Sequence, residues 1–148
     1  NASHWGHINF TKADITFDGD AISKGNFIVD MTSISVDDIS GGGKNRLESH
    51  LKDDDFFSVD KFNNAELEIL KKSEMIDNKY LVDANLTIKG ITNPITFEMT
   101  QVEDGSYKAI LIFDRSKYDV QYRSGSFFEN LGDRLILDDV ELEVTLVK

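Results

Sequence analysis

The sequence predicts an all-β protein of about eight antiparallel strands closed into a barrel, with one short helix inserted near residues 45–52. Three observations predict it. Over most of the chain apolar residues alternate with polar ones at period two, the pattern of strands that keep one face in a core and the other in water. Turn residues fall between successive alternating stretches, at the spacing of consecutive antiparallel strands. Only one segment carries helical spacing. A sheet with one apolar face must pack that face on a second sheet or close on itself, and closure also removes the unpaired edges. With a single short helix available as a lid, the barrel is favoured over the sandwich.

In chain order the strand series begins with Ile8 and Phe10, Ile15 and Phe17, then Phe27, Val29 and Met31. The stretch from Gly41 to Phe57 breaks the alternation. There Asn45 is placed to cap a helix with Glu48 three residues on, and Leu47 and Leu51 share one face. Ala65, Leu67 and Ile69 resume the strands, and Tyr80, Val82, Ala84, Leu86 and Ile88 against Asp83, Asn85, Thr87 and Lys89 give the clearest alternation. Ile95, Phe97 and Met99 follow, with the sole proline, Pro94, near the start of that strand, where a missing N–H is tolerated. Ile110, Leu111, Ile112 and Phe113 are apolar on both parities. This predicts cover for their outer side, from the helix around Leu47 and Leu51 or from a dimer partner. Val140, Leu142, Val144 and Leu146 form the last strand. Between these runs stand Asp18-Gly19-Asp20, Asp77-Asn78, Lys89-Gly90 and Glu103-Asp104-Gly105, all turn formers.

At 148 residues the chain fits one domain, residues 1–148. It has no cysteine, which excludes a disulfide framework, thiol catalysis and zinc-thiolate sites. Twenty-seven acidic against 16 basic residues leave a net charge of −11. A field of that sign argues against nucleic acid and against tight docking on an anionic membrane. No run approaches the roughly 18–20 apolar residues of a membrane helix, so no stable membrane insertion is expected. The chain opens on Asn1 rather than Met, which fits the loss of a leader.

Candidate chemistry is sparse. His4 and His7 are three apart in an extended segment, which sends them to opposite faces and prevents joint chelation. His50 lies at the helix end, where an imidazole bonds the last free carbonyls. Asp53-Asp54-Asp55 lacks the spacing of a calcium loop and reads as a solvated turn. It leads into Phe56 and Phe57, which point to opposite sides if extended, one of them plugging the interior. Asp114 and Arg115 are placed for an ion-pair network at a strand end. Phe127 and Phe128, flanked by Gly125 and Gly132, suit a mouth or lid. No catalytic or metal-binding motif is present, and neither an enzyme nor a metal site is predicted.

Two segments go beyond generic pattern. His50-Leu51-Lys52-Asp53-Asp54-Asp55-Phe56-Phe57, preceded by Val29-Asp30-Met31-Thr32-Ser33-Ile34, resembles the central signature of the YceI-like family of polyisoprenoid-binding, lipocalin-like proteins. Leu86-Thr87-Ile88-Lys89-Gly90-Ile91-Thr92-Asn93-Pro94-Ile95 is similar to its second signature. Phe113 to Tyr118, Ser124 to Phe128 and Asp138 to Leu142 are similar to stretches of bacterial members. The likeness departs at His4-Trp5-Gly6-His7. It implies an eight-stranded lipocalin-like barrel, exported to the periplasm, that holds the isoprenoid tail of a quinone-like or related lipid. No cofactor is implied beyond that cargo.

Parity places Phe27, Val29, Met31, Leu67, Ile69, Val82, Ala84, Leu86, Ile88, Phe97, Met99, Val140, Leu142 and Val144 on the inner face, with Phe56 added from the turn. These are the residues expected to touch the lipid. Burial returns about 25 cal/mol per Å², or ~0.8 kcal/mol per methylene, so a few isoprene units offset an association cost of roughly 4–15 kcal/mol without any polar contact. The expected protein is a monomer or homodimer that sequesters or transports its cargo. A second function class fits the same pattern: a structural or stress-related interaction domain with a packed, ligand-free barrel. A third, an enzyme acting on a lipid inside the barrel, would need His50 as its catalytic group.

Overall fold

The computed structural model describes residues 3–103, 105–132 and 135–147. Asp104, inside the anticipated turn at Glu103-Asp104-Gly105, lies outside the described residues. The strands are β1 (Gly6–Asp18), β2 (Ala21–Val36), β3 (Asn64–Ile69), β4 (Lys79–Ile88), β5 (Ile91–Gln101), β6 (Tyr107–Asp114) and β7 (Asp139–Leu146). Each pairs antiparallel with the next, forming one seven-stranded meander that curls into a half-barrel. Helix α1 (Gly41–Lys52) joins β2 to β3, and a single 3₁₀ turn, Arg115–Tyr118, follows β6.

Among the described residues the strand count is therefore seven rather than eight. Ile8 with Phe10 and Ile15 with Phe17 belong to one strand. The β1–β2 register passes from Phe10↔Val29 to Lys12↔Ile28, so Thr11 is an extra residue and the inward parity flips there. Ile8 and Ile15 thus both reach the core, from an even and an odd position. Of the closed lipocalin-like cylinder, the described residues form a half-barrel. Among the described residues β1 pairs only with β2 and β7 only with β6. Closure needs a stagger that accumulates through every ladder. Here the β5–β6 ladder holds only Met99↔Ala109, Thr100↔Lys108 and Gln101↔Tyr107. Pro94 lies opposite Asn85 of β4, in the stretch of β5 beyond that short ladder, where a strand tolerates a missing donor.

Turn chemistry behaves as anticipated. Asp77 (φ 53°) with Asn78 (φ 64°) and Lys89 (φ 53°) with Gly90 (φ 72°) put two successive residues in the left-handed region, the geometry of tight hairpin turns. The helix begins earlier than expected, at Gly41 with Ser40 as N-cap. Glu48 does not form a box with Asn45; its Oε2 accepts the Val36 backbone N–H at 2.8 Å and holds α1 against the end of β2. That placement leaves the outer face of β6 uncovered by the helix: Ile110 and Ile112 are 54% and 58% exposed.

Inward side chains form two clusters. One lies at the end of the sheet that carries the β1–β2, β3–β4 and β5–β6 connections, the turn end, and contains Ile22, Phe27, Ile69, Tyr80, Val82, Phe97, Met99, Tyr107 and Leu111. The other lies at the end that carries α1 and the segment after β6, the helix end, and contains Met31, Phe56, Phe57, Val59, Leu86, Ile88, Phe113, Tyr118 and Val120. On β6 it is Tyr107, Ala109, Leu111 and Phe113 that face inward, which both-parity apolarity had hidden.

Candidate functional site

The concave face is sealed at its turn end by aromatic rings. Phe17 stacks on Tyr107 with centroids 5.5 Å apart, and Tyr80 lies 6.3 Å from Tyr107. The Tyr80 hydroxyl donates to the Asp20 carbonyl at 2.5 Å, which anchors the ring beneath the β1–β2 hairpin. Burial pushes the pKa of that phenol above its ordinary value.

At the helix end the seal comes from the turn after α1. The chain folds back through Asp53–Phe57 instead of extending, with the Phe57 N–H on the Leu51 carbonyl. Phe56 and Phe57 therefore enter the same cluster, 5.1 Å apart, where opposite faces had been expected. Asp53, Asp54 and Asp55 stay exposed, and Asp54 accepts from the Ser58 hydroxyl at 2.7 Å. The His50 ring stands edge-on to Tyr122 at 4.3 Å and near Phe56 at 5.9 Å, so the contacts seen for it are aromatic rather than the anticipated helix carbonyls. The Val29–Ile34 segment has a local task. Asp30 Oδ1 accepts from the Thr32 N–H and hydroxyl, and Ser33 Oγ donates to the Asp30 carbonyl, bracing the bulge at which β1 skips from Asp30 to Ser35.

Arg115 carries the rest of this end. It is 1% exposed, and its guanidinium donates to the carbonyls of Val120 (2.8 Å), Tyr122 (2.9 Å), Ile136 (3.0 Å) and Leu137 (3.2 Å). Its Cζ lies 5.1 Å from the Phe56 ring centre. Asp138, not Asp114, is the carboxylate beside it, at 3.9 Å. The Asp114 side chain instead accepts the Ser116 N–H and caps the 3₁₀ turn. Asp138 also accepts the hydroxyls of Ser124 and Ser126, tying the two ends of the 120–138 segment together. Burial pushes the Asp138 carboxyl up, but the two serine bonds and the Arg115 charge outweigh it and leave the pKa below its ordinary value. A depressed folded-state pKa adds stability that is complete above the unfolded value of about 3.9 and is lost as pH falls through the lower folded one. Acid titration followed by circular dichroism should show a loosening below about pH 4 that Asp138→Asn lacks; identical acid profiles would contradict the assignment.

Between the two seals lies a waist. Leu67, Ile95 and Leu142 pack on both clusters, and each stays half-buried. Val29, Val140 and Val144 are half-buried beside them. Every inward residue inferred from parity does sit on the concave face, but in two classes. Phe27, Met31, Ile69, Val82, Ala84, Leu86, Ile88, Phe97 and Met99 are buried in the clusters, together with Phe56. Val29, Leu67, Val140, Leu142 and Val144 keep accessible surface, the last three along the open edge at β7. Sequence reasoning missed Ile95, whose parity with Phe97 and Met99 was available. It also missed Ile8, Phe10, Ile15 and Phe17 of β1, which the bulge concealed; the Phe10 ring lies 6.1 Å from Phe27. The resulting feature is a lengthwise band of half-buried apolar side chains on the concave face, reaching β7, whose edge away from β6 pairs with no strand among the described residues.

Two surface hollows lie elsewhere. One of about 450 Å³ at the helix end is lined by charged groups, among them Asp54, Lys89, Asp119 and Arg123, with Phe128 and Leu131 at its margin. Another of about 400 Å³ lies beside the β3–β4 connection, lined by Lys72, Glu74 and Glu98 among others. His4 Nδ1 meets Asp38 at 2.9 Å and His7 Nδ1 meets Asp37 at 2.8 Å, so each ring has its own carboxylate partner. Among the described residues no group of three or more His, Asp or Glu side chains is placed to hold a metal ion, and no helix is long and apolar enough to cross a membrane.

Residues 1–148 match the YceI-like domain. A UPF0312 protein of Vibrio parahaemolyticus is 30% identical over 103 residues, 68% of this chain and 51% of that protein; a UPF0312 protein of Vibrio campbellii matches equally. The chain thus spans about half the length of the curated relatives it matches. Among solved structures, Burkholderia cenocepacia BcnA superposes with a TM-score of 0.73 at 21% identity, over 93% of this chain and 82% of that one. The Campylobacter jejuni YceI protein gives 0.68 at 21% identity over 99% and 88%. A polyisoprenoid binding domain from Saccharophagus degradans, implicated in plant cell wall breakdown, gives 0.55 at 12% identity over 85% and 78%.

Proposed function

This chain belongs to the YceI-like domain family, and from that premise we propose that it is a non-enzymatic protein that binds the isoprenoid chain of a polyisoprenoid or quinone-like lipid along its concave face. The observation that carries the reading is the waist: Leu67, Ile95 and Leu142 remain half-buried between two sealed clusters. A wall of this kind contacts a hydrocarbon tail and leaves a polar end to solvent. Apolar walls discriminate one methylene by only about 1–3 kcal/mol, so selection falls on tail length and girth rather than on the head group. The half-buried apolar band suits sequestration or carriage of the lipid through water, in the periplasm or another extracytoplasmic space. The Saccharophagus domain supports the cargo class by likeness of fold.

Organic extraction of protein purified from a membrane-containing host, followed by mass spectrometry, should yield a polyprenyl compound at near-stoichiometric amount. Repeated recovery of lipid-free, folded protein would overturn the reading. It would favour a packed half-barrel that meets a protein partner instead, a role consistent with the burial of so many inward residues in the two clusters.

A further inference from the structure

The segment that Arg115 holds carries an unusual surface. Phe127 and Phe128 are 45% and 48% exposed, and Leu135 and Leu137 are 46% and 72% exposed, with Ile136 beside them. A chain seldom leaves this many large apolar side chains of one segment in water unless the surface meets something. They are not there through looseness of the base. The carbonyls of Tyr122, Ile136 and Leu137 are bound by the buried guanidinium, Ser124 and Ser126 are bound by Asp138, and Ile136 N–H bonds the Arg123 carbonyl at 2.8 Å. The clamp fixes both stems while the apolar side chains stand outward, so docking needs little further ordering.

Charge identifies the occupant. From Tyr122 to Leu137 the sequence has Arg123 and Arg134 against Glu129 and Asp133, a balance of zero in a chain of net −11. In space Phe128 shares a hollow with Asp54, Asp55 and Asp119 and with Lys89 and Arg123, so the apolar surface sits among nearly balanced charges on an acidic body, matched to a bilayer of zwitterionic lipid and repelled by an anionic one. The segment also runs directly into β7, whose Val140 and Leu142 stand half-buried on the concave face.

We propose that Phe127, Phe128 and Leu135–Leu137 form a docking surface for a zwitterionic lipid bilayer, through which the concave face exchanges its lipid. The exchange rests on the lipid-binding reading above; the docking does not. Flotation with vesicles tests it, using phosphatidylcholine alone and phosphatidylcholine mixed with phosphatidylglycerol. The wild-type protein should float with phosphatidylcholine and less with the anionic mixture, and added salt should restore part of that loss. The variant Phe127→Ser/Phe128→Ser, altered at exposed positions, should lose about tenfold or more of its vesicle-bound fraction, because each ring withdraws its apolar area from the interface. Loaded from detergent, the same variant should keep the wild-type lipid content by extraction. Wild-type protein that does not float, equal flotation of the variant, or tighter binding to the anionic mixture would overturn the docking proposal. Flotation by a protein that carries no isoprenoid in either form would overturn the cargo reading and leave the docking standing.

Discussion

Replacing Arg115 with alanine is expected to lower the folding free energy by about 3–5 kcal/mol, the usual cost of deleting one member of a buried charged network. The side chain is 1% exposed and donates to four carbonyls from three places in the chain after β6, so its loss leaves the buried Val120 carbonyl without its donor and unties the part-buried carbonyls of Tyr122, Ile136 and Leu137 from one another. Burial pulls its pKa down, and Asp138 and Asp114 push it back up; a guanidinium stays charged at neutral pH in any case. For a domain of this size the expected fall in melting temperature is roughly 6–20 °C, read by circular dichroism. Arg115→Lys should recover only part of it, because one ammonium does not span the carbonyls that a planar fork reaches. A melting temperature unchanged in the alanine variant would refute the clamp. Since the clamp sets the stems of the apolar segment, Arg115→Ala should also reduce flotation with phosphatidylcholine vesicles.

The second large effect concerns the concave face. Leu142→Asp should cut the isoprenoid recovered per folded molecule by about tenfold or more, because stripping water from a carboxylate against a hydrocarbon tail costs several kcal/mol. Leu142 lies on the edge strand β7 opposite Leu111 and is half-buried, so the folded protein can turn the new carboxylate toward solvent when no lipid is present. Ile110→Asp is the matched control. Its side chain lies on the convex face of β6 and is 54% exposed, and lipid content should not change. Equal lipid content in Leu142→Asp and wild type, both verified as folded, would remove the concave face from the binding reading.

The alternation of Tyr80 to Ile88, the turn pairs Asp77-Asn78 and Lys89-Gly90, and the inward parity of β2 to β5 and β7 were all legible in the sequence. Each is set within a few residues: a side chain's face follows from the pleat, and a left-handed turn pair follows from its own steric options. The motif around Asp53–Phe57 was legible as important, yet its geometry was not. Whether Phe56 and Phe57 diverge or converge depends on the bonds that fold the turn back onto Leu51.

The sequence by itself determined that this is an antiparallel sheet protein with an apolar inner face and a strongly acidic charge. Only the tertiary structure decided that Ile8 and Phe17 share one bulged strand, that β1 and β7 stay unpaired with each other among the described residues, and that Arg115 answers to carbonyls rather than to Asp114. It alone separated Leu67, Ile95 and Leu142, which keep accessible surface, from Val82 and Ile88, which do not. The reason is one of range. Parity is a property of neighbouring residues, whereas closure and exposure are sums of small staggers and packings over every strand, and no short stretch of sequence contains that sum.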